Sequence, residues 1–255
     1  MDHGELIKKL LPGHIDAFVK DTIGYLKQKD LENVLARLDD SIKDEQVEES
    51  LVQLFEYMDK GDIIAVMATG VHSNQFVETT TYTLSYQLQY PEAYQLVNLV
   101  LLENSNGLSI KQFHINDIPD SLDVLNKFTF TGKSLRHFLF FGVTIAYMLF
   151  IITAFVVCIR TKNLQTKWLW AIITTIGFCE FIFNWTTGVW EVKPFSFGFK
   201  FSSFIQPSPY FPSILGFYVP VGAIIFFIKR TSLIKPEGTD QNNEEMLSDE
   251  TTSQE

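Results

Sequence analysis

Cysteine is nearly missing: the 255-residue chain has two, Cys158 and Cys179, and both fall inside apolar runs. A thiol in such surroundings acts as a small hydrophobe, so the hydrophilic part has no disulfide and fits either redox compartment. Metal-ligand spacing is missing too. His3, His14, His72, His114 and His137 are scattered, with no i,i+4 pair and no nearby cysteine, which argues against a metal site. No nucleophile elbow, phosphate loop or paired catalytic carboxylate stands out, so an enzyme is not supported and no cofactor is expected. Basic residues are in deficit, 20 Lys and Arg against 30 Asp and Glu. That balance lacks the clustered positive charge that nucleic-acid binding needs.

What is present is segregated along the chain. Residues 1–130 carry 10 Lys/Arg and 21 Asp/Glu, residues 131–235 carry 10 and 2, and residues 236–255 carry 0 and 7. A mean hydropathy of +0.10 beside 20% charged residues requires the two classes to lie in different regions. The expected organisation is an acidic folded domain over 1–126, a membrane part over 127–235 and a disordered acidic tail over 236–255.

Three apolar stretches, 137–159, 168–185 and 211–228, approach the roughly 20 residues that cross a hydrocarbon core and predict three transmembrane helices. Arg160, Lys162 and Lys167 follow the first, and Lys229, Arg230 and Lys235 follow the third, which places both ends in the cytoplasm and the N-terminal domain outside. Lys133 and Arg136 pull the other way. The start, MDHGELIKKLLPGHIDAF, has no apolar h-region, which leaves two readings: a leader absent from this chain, or a cytoplasmic domain.

Within the second stretch Thr174, Gly177, Glu180, Asn184 and Thr187 recur every three or four residues and predict one polar face on a spanning helix. An ionisable group there costs roughly 2.5–3.5 kcal/mol at a helix centre, so Glu180 is either structural glue between helices or part of a proton or ion path. Phe195, Phe197, Phe199, Phe201 and Phe204 alternate with small or polar residues, which suits an interfacial segment or a strand.

Ahead of these spans, apolar residues recur at helical spacing from Ile15 to Met58 and predict three helices, interrupted by Lys29-Asp30 and by residues 39–41. From Ile63 the period becomes two. Tyr82, Leu84, Tyr86, Leu88 and Tyr90 share one face of a strand, residues 63–73, 94–102 and 108–115 supply three more, and Asn106-Gly107 makes a hairpin turn. Helices followed by an antiparallel meander predict an α+β layer. Tyr82, Tyr86 and Tyr90 then either line a ligand pocket or pack as core, and His72 and His114 lie in or beside strands.

The break at Gly61-Asp62, the strand Thr79-Thr80-Thr81-Tyr82-Thr83-Leu84-Ser85-Tyr86 and the last strand, from Leu108 to Pro119, resemble the nuclear-transport-factor and ketosteroid-isomerase superfamily over residues 14–120. Lys167-Trp-Leu-Trp170 and Phe183-Asn-Trp-Thr-Thr-Gly188 resemble uncharacterised bacterial membrane proteins over 130–230. The resemblance implies a cone: helices packed on a curved antiparallel sheet, enclosing a pocket for a small apolar ligand, with Tyr82, Tyr86, Tyr90 and His114 as candidate lining. It also implies a bacterial cytoplasmic membrane. The expected function is a non-catalytic binding domain displayed outside that membrane. The alternatives are an accessory subunit of a transport or envelope-assembly complex and, third, a membrane-bound enzyme. Expected partners are the lipid bilayer, a small apolar ligand or a protein, and further copies of the chain.

Overall fold

The computed structural model describes residues 7, 10–199 and 202–234; the tail over 236–255 lies outside them. Contacts divide the chain into one unit of Met1–Lys127 with Ser208–Phe211 and a second of Phe128–Pro207 with Pro212–Glu255.

The first unit is a mixed α/β domain. Helix α1 (Gly13–Gln28) buries Ile15, Val19, Thr22, Ile23 and Leu26, spaced three and four apart so that they form one stripe. It stops where Lys29 turns into the left-handed region at φ 59° and its N–H caps Leu26. Asp30 then caps α2 (Leu31–Arg37) by accepting from the Asn33 N–H at 3.2 Å. Helix α3 (Val47–Tyr57) adds Leu51 and Phe55 to the same core.

Strands β1 (Ala65–Gln75), β2 (Thr80–Gln89), β3 (Tyr94–Asn104) and β4 (Gly107–Ile118) follow as an antiparallel meander in the order β1-β2-β3-β4. The Asn104 side chain accepts from the Asn106 N–H and Gly107 takes φ 111°, which turns the last hairpin. On β2 the even positions from Tyr82 onward are buried as the alternation demands, and on the other face Gln87 alone is also fully buried, accepting from the Leu122 N–H. Tyr82, Leu84, Tyr86, Leu88 and Tyr90 are buried against the helices, and Val97, Leu99 and Leu101 of β3 continue that face. The short helix α4 (Leu122–Leu125) closes the unit.

The free edge of β4 is covered in part. Leu38 bridges Ile110, and the Asp39 N–H donates to the Ile110 carbonyl at 2.9 Å. The Asp39 carboxylate accepts from the Ser41 hydroxyl at 2.6 Å and the Ser109 hydroxyl at 2.8 Å, which holds its pKa down at about 2. A carboxylate depressed on folding stabilises above its unfolded value, and that contribution is lost as pH falls through the folded one. The stability difference between wild type and Asp39→Asn is therefore expected to shrink as pH drops from 3.8 towards about 2. Thermal midpoints across that window check this, and a difference constant with pH would count against it.

The second unit begins with α5 (Leu135–Arg160), 26 residues with a mean hydropathy of 2.5 in its most apolar window, only 22% of which is buried. It is long and apolar enough to cross a membrane. After it come α6 (Lys167–Ile173), β5 (Ile176–Asn184), β6 (Trp190–Phe199), β7 (Ser202–Ile205), β8 (Ile214–Val219) and α7 (Val221–Lys229), with the strands ordered β6-β5-β8-β7. Phe140 of α5 stacks on Phe183 at 4.6 Å, and the fully buried Trp185 donates its indole N–H to the Thr129 carbonyl at 2.9 Å. Gly177 faces Gly198 across β5 and β6, and the Tyr218 side chain lies against both where any Cβ would collide with it.

Two expectations are overturned here. The cone does not form: each sheet is an open ladder that neither closes nor curls, so the likeness to the nuclear-transport-factor and ketosteroid-isomerase superfamily and its curved sheet is withdrawn. Alternation on β2 specifies a buried face, whereas closure depends on long-range pairing that alternation does not encode.

The three-span region also fails, because α5 alone among the described residues is a candidate span. Residues 168–185 divide into α6 and β5, and residues 211–228 into β8 and α7. Hydropathy sums the same for strand and helix, and the aromatic and β-branched content of β5 and β8 favours the strand. Pro220, lacking an N–H, stands at the N-cap of α7 and separates it from β8. With α5 as the one candidate span, the charges at its two ends balance, Lys127, Lys133 and Arg136 at the start and Arg160, Lys162 and Lys167 at the finish, which withdraws the charge argument for orientation.

Candidate functional site

A pocket of about 490 Å³ opens in the first unit between the start of α1 and the first residues of β1. Its apolar wall is Ile7, Leu11, Val66, Met67 and Ala68, and Tyr210 and Gly13 complete the lining. Asp16 and Lys20 are its charged members. They stand one turn apart on α1, and the Lys20 ammonium donates to Asp16 Oδ2 at 2.7 Å. Asp16 Oδ1 accepts from the Tyr86 hydroxyl at 2.9 Å. Burial, and then the hydrogen bond to the Asp16 carboxylate, push the Tyr86 hydroxyl well above the ordinary phenol value. Both Asp16 oxygens are therefore engaged, and Tyr86 is held as a neutral donor.

The tyrosine row reaches three different partners. Tyr82 donates to Glu103 Oε2 at 2.9 Å, and Glu103 Oε1 also meets His14 Nε2 at 3.0 Å. Tyr90 donates to Gln95 Oε1 at 2.8 Å, and burial together with the Asp117 charge pushes it up to about 12. Gln95, itself fully buried, donates onward to the Tyr57 carbonyl at 3.1 Å and to Asp117 at 3.0 Å. Burial alone would raise the Asp117 carboxyl, but the Lys60 ammonium and the Gln95 amide outweigh it and hold it below the usual range. Of the row, only Tyr86 reaches a residue that lines the pocket. His114 is exposed and pairs with Asn98, on the face of the sheet opposite the tyrosines.

The five residues expected on one helical face fall on a helix end, a strand and a turn, with Gly177, Glu180 and Asn184 all on β5. Thr174 follows α6 and donates to the Ala171 carbonyl at 2.9 Å. Glu180 lies on β5 in register with Lys193 of β6 and Tyr218 of β8. Asn184 ends β5, where its Oδ1 accepts from the Thr186 and Thr187 N–H groups at 2.9 and 3.1 Å, and the Thr187 hydroxyl accepts from the Val189 N–H. Asn184 and Thr187 thus build the turn into β6.

Asp16 and Lys20 escaped the sequence reading. Their i,i+4 spacing was visible, but such pairs are common on solvated helix faces, and only the packing of β1 beside α1 makes a pocket of this one. No protein-family model matches the chain, and no curated protein matches it.

Proposed function

We propose that the protein is a membrane-anchored binding module whose first unit takes a small apolar ligand with one polar end in the pocket beside Asp16 and Lys20. The observation that carries this is the pocket's composition: a continuous aliphatic wall ending at one ion pair, the arrangement that binds an amphiphile by its tail and orients it by its head. Binding is favoured over acid–base chemistry because Asp16 already accepts two hydrogen bonds and Tyr86 is held protonated. The anchor is α5, the apolar helix of the second unit.

The test uses the full chain in lipid nanodiscs, because Tyr210 lines the pocket and Ser208–Phe211 belong to the first unit. Decanoate and decanol, below their aggregation limits, are expected to raise the thermal midpoint of the first unit. A ligand at 100 times its Kd adds about 2.7 kcal/mol. Gly13 lines the pocket and a Cβ there meets nothing within 4 Å, so Gly13→Leu adds bulk at the lining and is expected to abolish the shift. Lys20→Gln is expected to weaken decanoate more than decanol. If neither probe moves the midpoint, or if both still do so in Gly13→Leu, the pocket is not the site.

A further inference from the structure

The second unit has an apolar groove of about 300 Å³ that the reading above leaves unused. Arg136, Leu139 or Phe140, and Val143 follow one another at three- and four-residue steps, so they form one stripe of α5 with Arg136 at its N-terminal end. Phe140 packs on Phe183 and Phe217 at ring-centroid distances of 4.6 and 5.2 Å, so these rings close the bottom of the groove, and Trp190 stands at the side. Almost all of the lining is carbon, and Leu139, Val143 and Trp190 are exposed along it.

Arg136 is the one charge at this groove. It is exposed and makes no ion pair or hydrogen bond among the described residues, whereas the neighbouring Lys133 ammonium donates to the Trp185 carbonyl at 2.9 Å. Only two carboxylates, Glu180 and Glu191, occur between residues 131 and 235, and neither forms an ion pair with Arg136. An uncompensated guanidinium beside an aliphatic and aromatic channel complements a molecule with a negative head and a hydrocarbon tail. A planar guanidinium also matches two phosphate oxygens at once.

We propose that this groove holds one acyl chain of an anionic phospholipid, with Arg136 on its phosphate. The lipid then lies along the seam where α5 meets the sheet of the second unit and ties that unit to the bilayer. This rests on α5 lying in a membrane, and not on the pocket beside Asp16.

The experiment uses the full chain, purified in an uncharged detergent and exposed to an equimolar mixture of phosphatidylglycerol and phosphatidylcholine, with retained lipid counted by native mass spectrometry. One phosphatidylglycerol per chain is expected, preferred by about tenfold or more, the factor that 1.4 kcal/mol represents. Arg136→Gln is expected to bring the two lipids to parity, and Arg136→Lys to keep part of the preference. Val143→Phe, which adds bulk inside the groove, is expected to lower retention of both. Because Arg136 is exposed, its variants should keep the wild-type thermal midpoint in detergent without added lipid, which separates lost lipid from lost fold. Equal retention of both lipids by wild type, an unchanged preference in Arg136→Gln, or a chain dimer broken by Val143→Phe would overturn the proposal. Release of the chain from membranes by alkaline carbonate would overturn the membrane reading beneath it, a separate failure.

Discussion

Gly222→Ala is expected to destabilise the second unit by about 3 kcal/mol or more, the upper end of what overpacking costs. Alanine ordinarily improves a helix by about 1 kcal/mol over glycine, and Gly222 sits in the first turn of α7, so local propensity predicts the opposite sign. The reversal comes from packing. A Cβ on Gly222 would overlap the backbone carbonyl of Ile173 at the end of α6, and backbone cannot rotate away as a long side chain can. Either the two helices separate or the turn between α6 and β5 distorts, and Ala223 and Phe226, both fully buried, leave their places. Gly142 supplies the control: it lies inside α5 with nothing within 4 Å of its Cβ, so Gly142→Ala should be neutral or slightly stabilising. Thermal midpoints of the full chain in detergent measure both. Equal midpoints for the two variants would mean that α7 does not dock this closely on α6.

Gln95→Ala should cost the first unit about 2–4 kcal/mol, from a cavity and from polar groups left without partners. Gln95 is a buried polar residue that accepts from Tyr90 and donates to the Tyr57 carbonyl and to Asp117. Its removal leaves the buried Tyr90 phenol with only the longer bond to the Met58 carbonyl at 3.4 Å, and strips the Tyr57 carbonyl at the end of α3 and a carboxylate that also pairs with Lys60 of one bond each. Gln112, exposed on β4, is the matched change, and Gln112→Ala should stay within about 0.5 kcal/mol of wild type. Adding Tyr90→Phe separates the contributions. If Gln95 serves through its hydroxyl partner, the double variant will cost clearly less than the two single costs together. A Gln95→Ala loss no larger than that of Gln112→Ala would show the network to be incidental.

The tyrosine strand shows how far local pattern reaches. Alternation along a strand puts Tyr82, Tyr86 and Tyr90 on one face, and that face is buried in the structure. Their partners were not legible, since Glu103, Asp16 and Gln95 come from β3, α1 and β3 again, and nothing within β2 points to them. The pocket was illegible for the same reason. Its walls are α1 and β1, elements about 40 residues apart in the chain, and the distance between them is set by the core.

The second unit shows where pattern misleads. Counting helical turns groups Glu180 with Thr174, Gly177, Asn184 and Thr187, and each residue does recur at that spacing. Because residues 176–184 are a strand, the same spacing puts them on a helix end, a strand and a turn. Gly177 and Gly198 carried the better signal. Their pairing leaves room for Tyr218, a reason for glycine within strands that is independent of turns.

From residue order alone came the acidic front, the change from helical to alternating period near Ile63, and the long apolar helix beginning near His137. Each depends on neighbours within about ten positions, where covalent geometry sets the period and hydropathy sets the face. The openness of both sheets, the conversion of two apolar runs into helix–strand pairs, the docking of Gly222 on Ile173 and the pocket beside Asp16 came from tertiary packing. Those outcomes turn on which distant surfaces exclude water together, a free energy shared among segments and written in none of them singly.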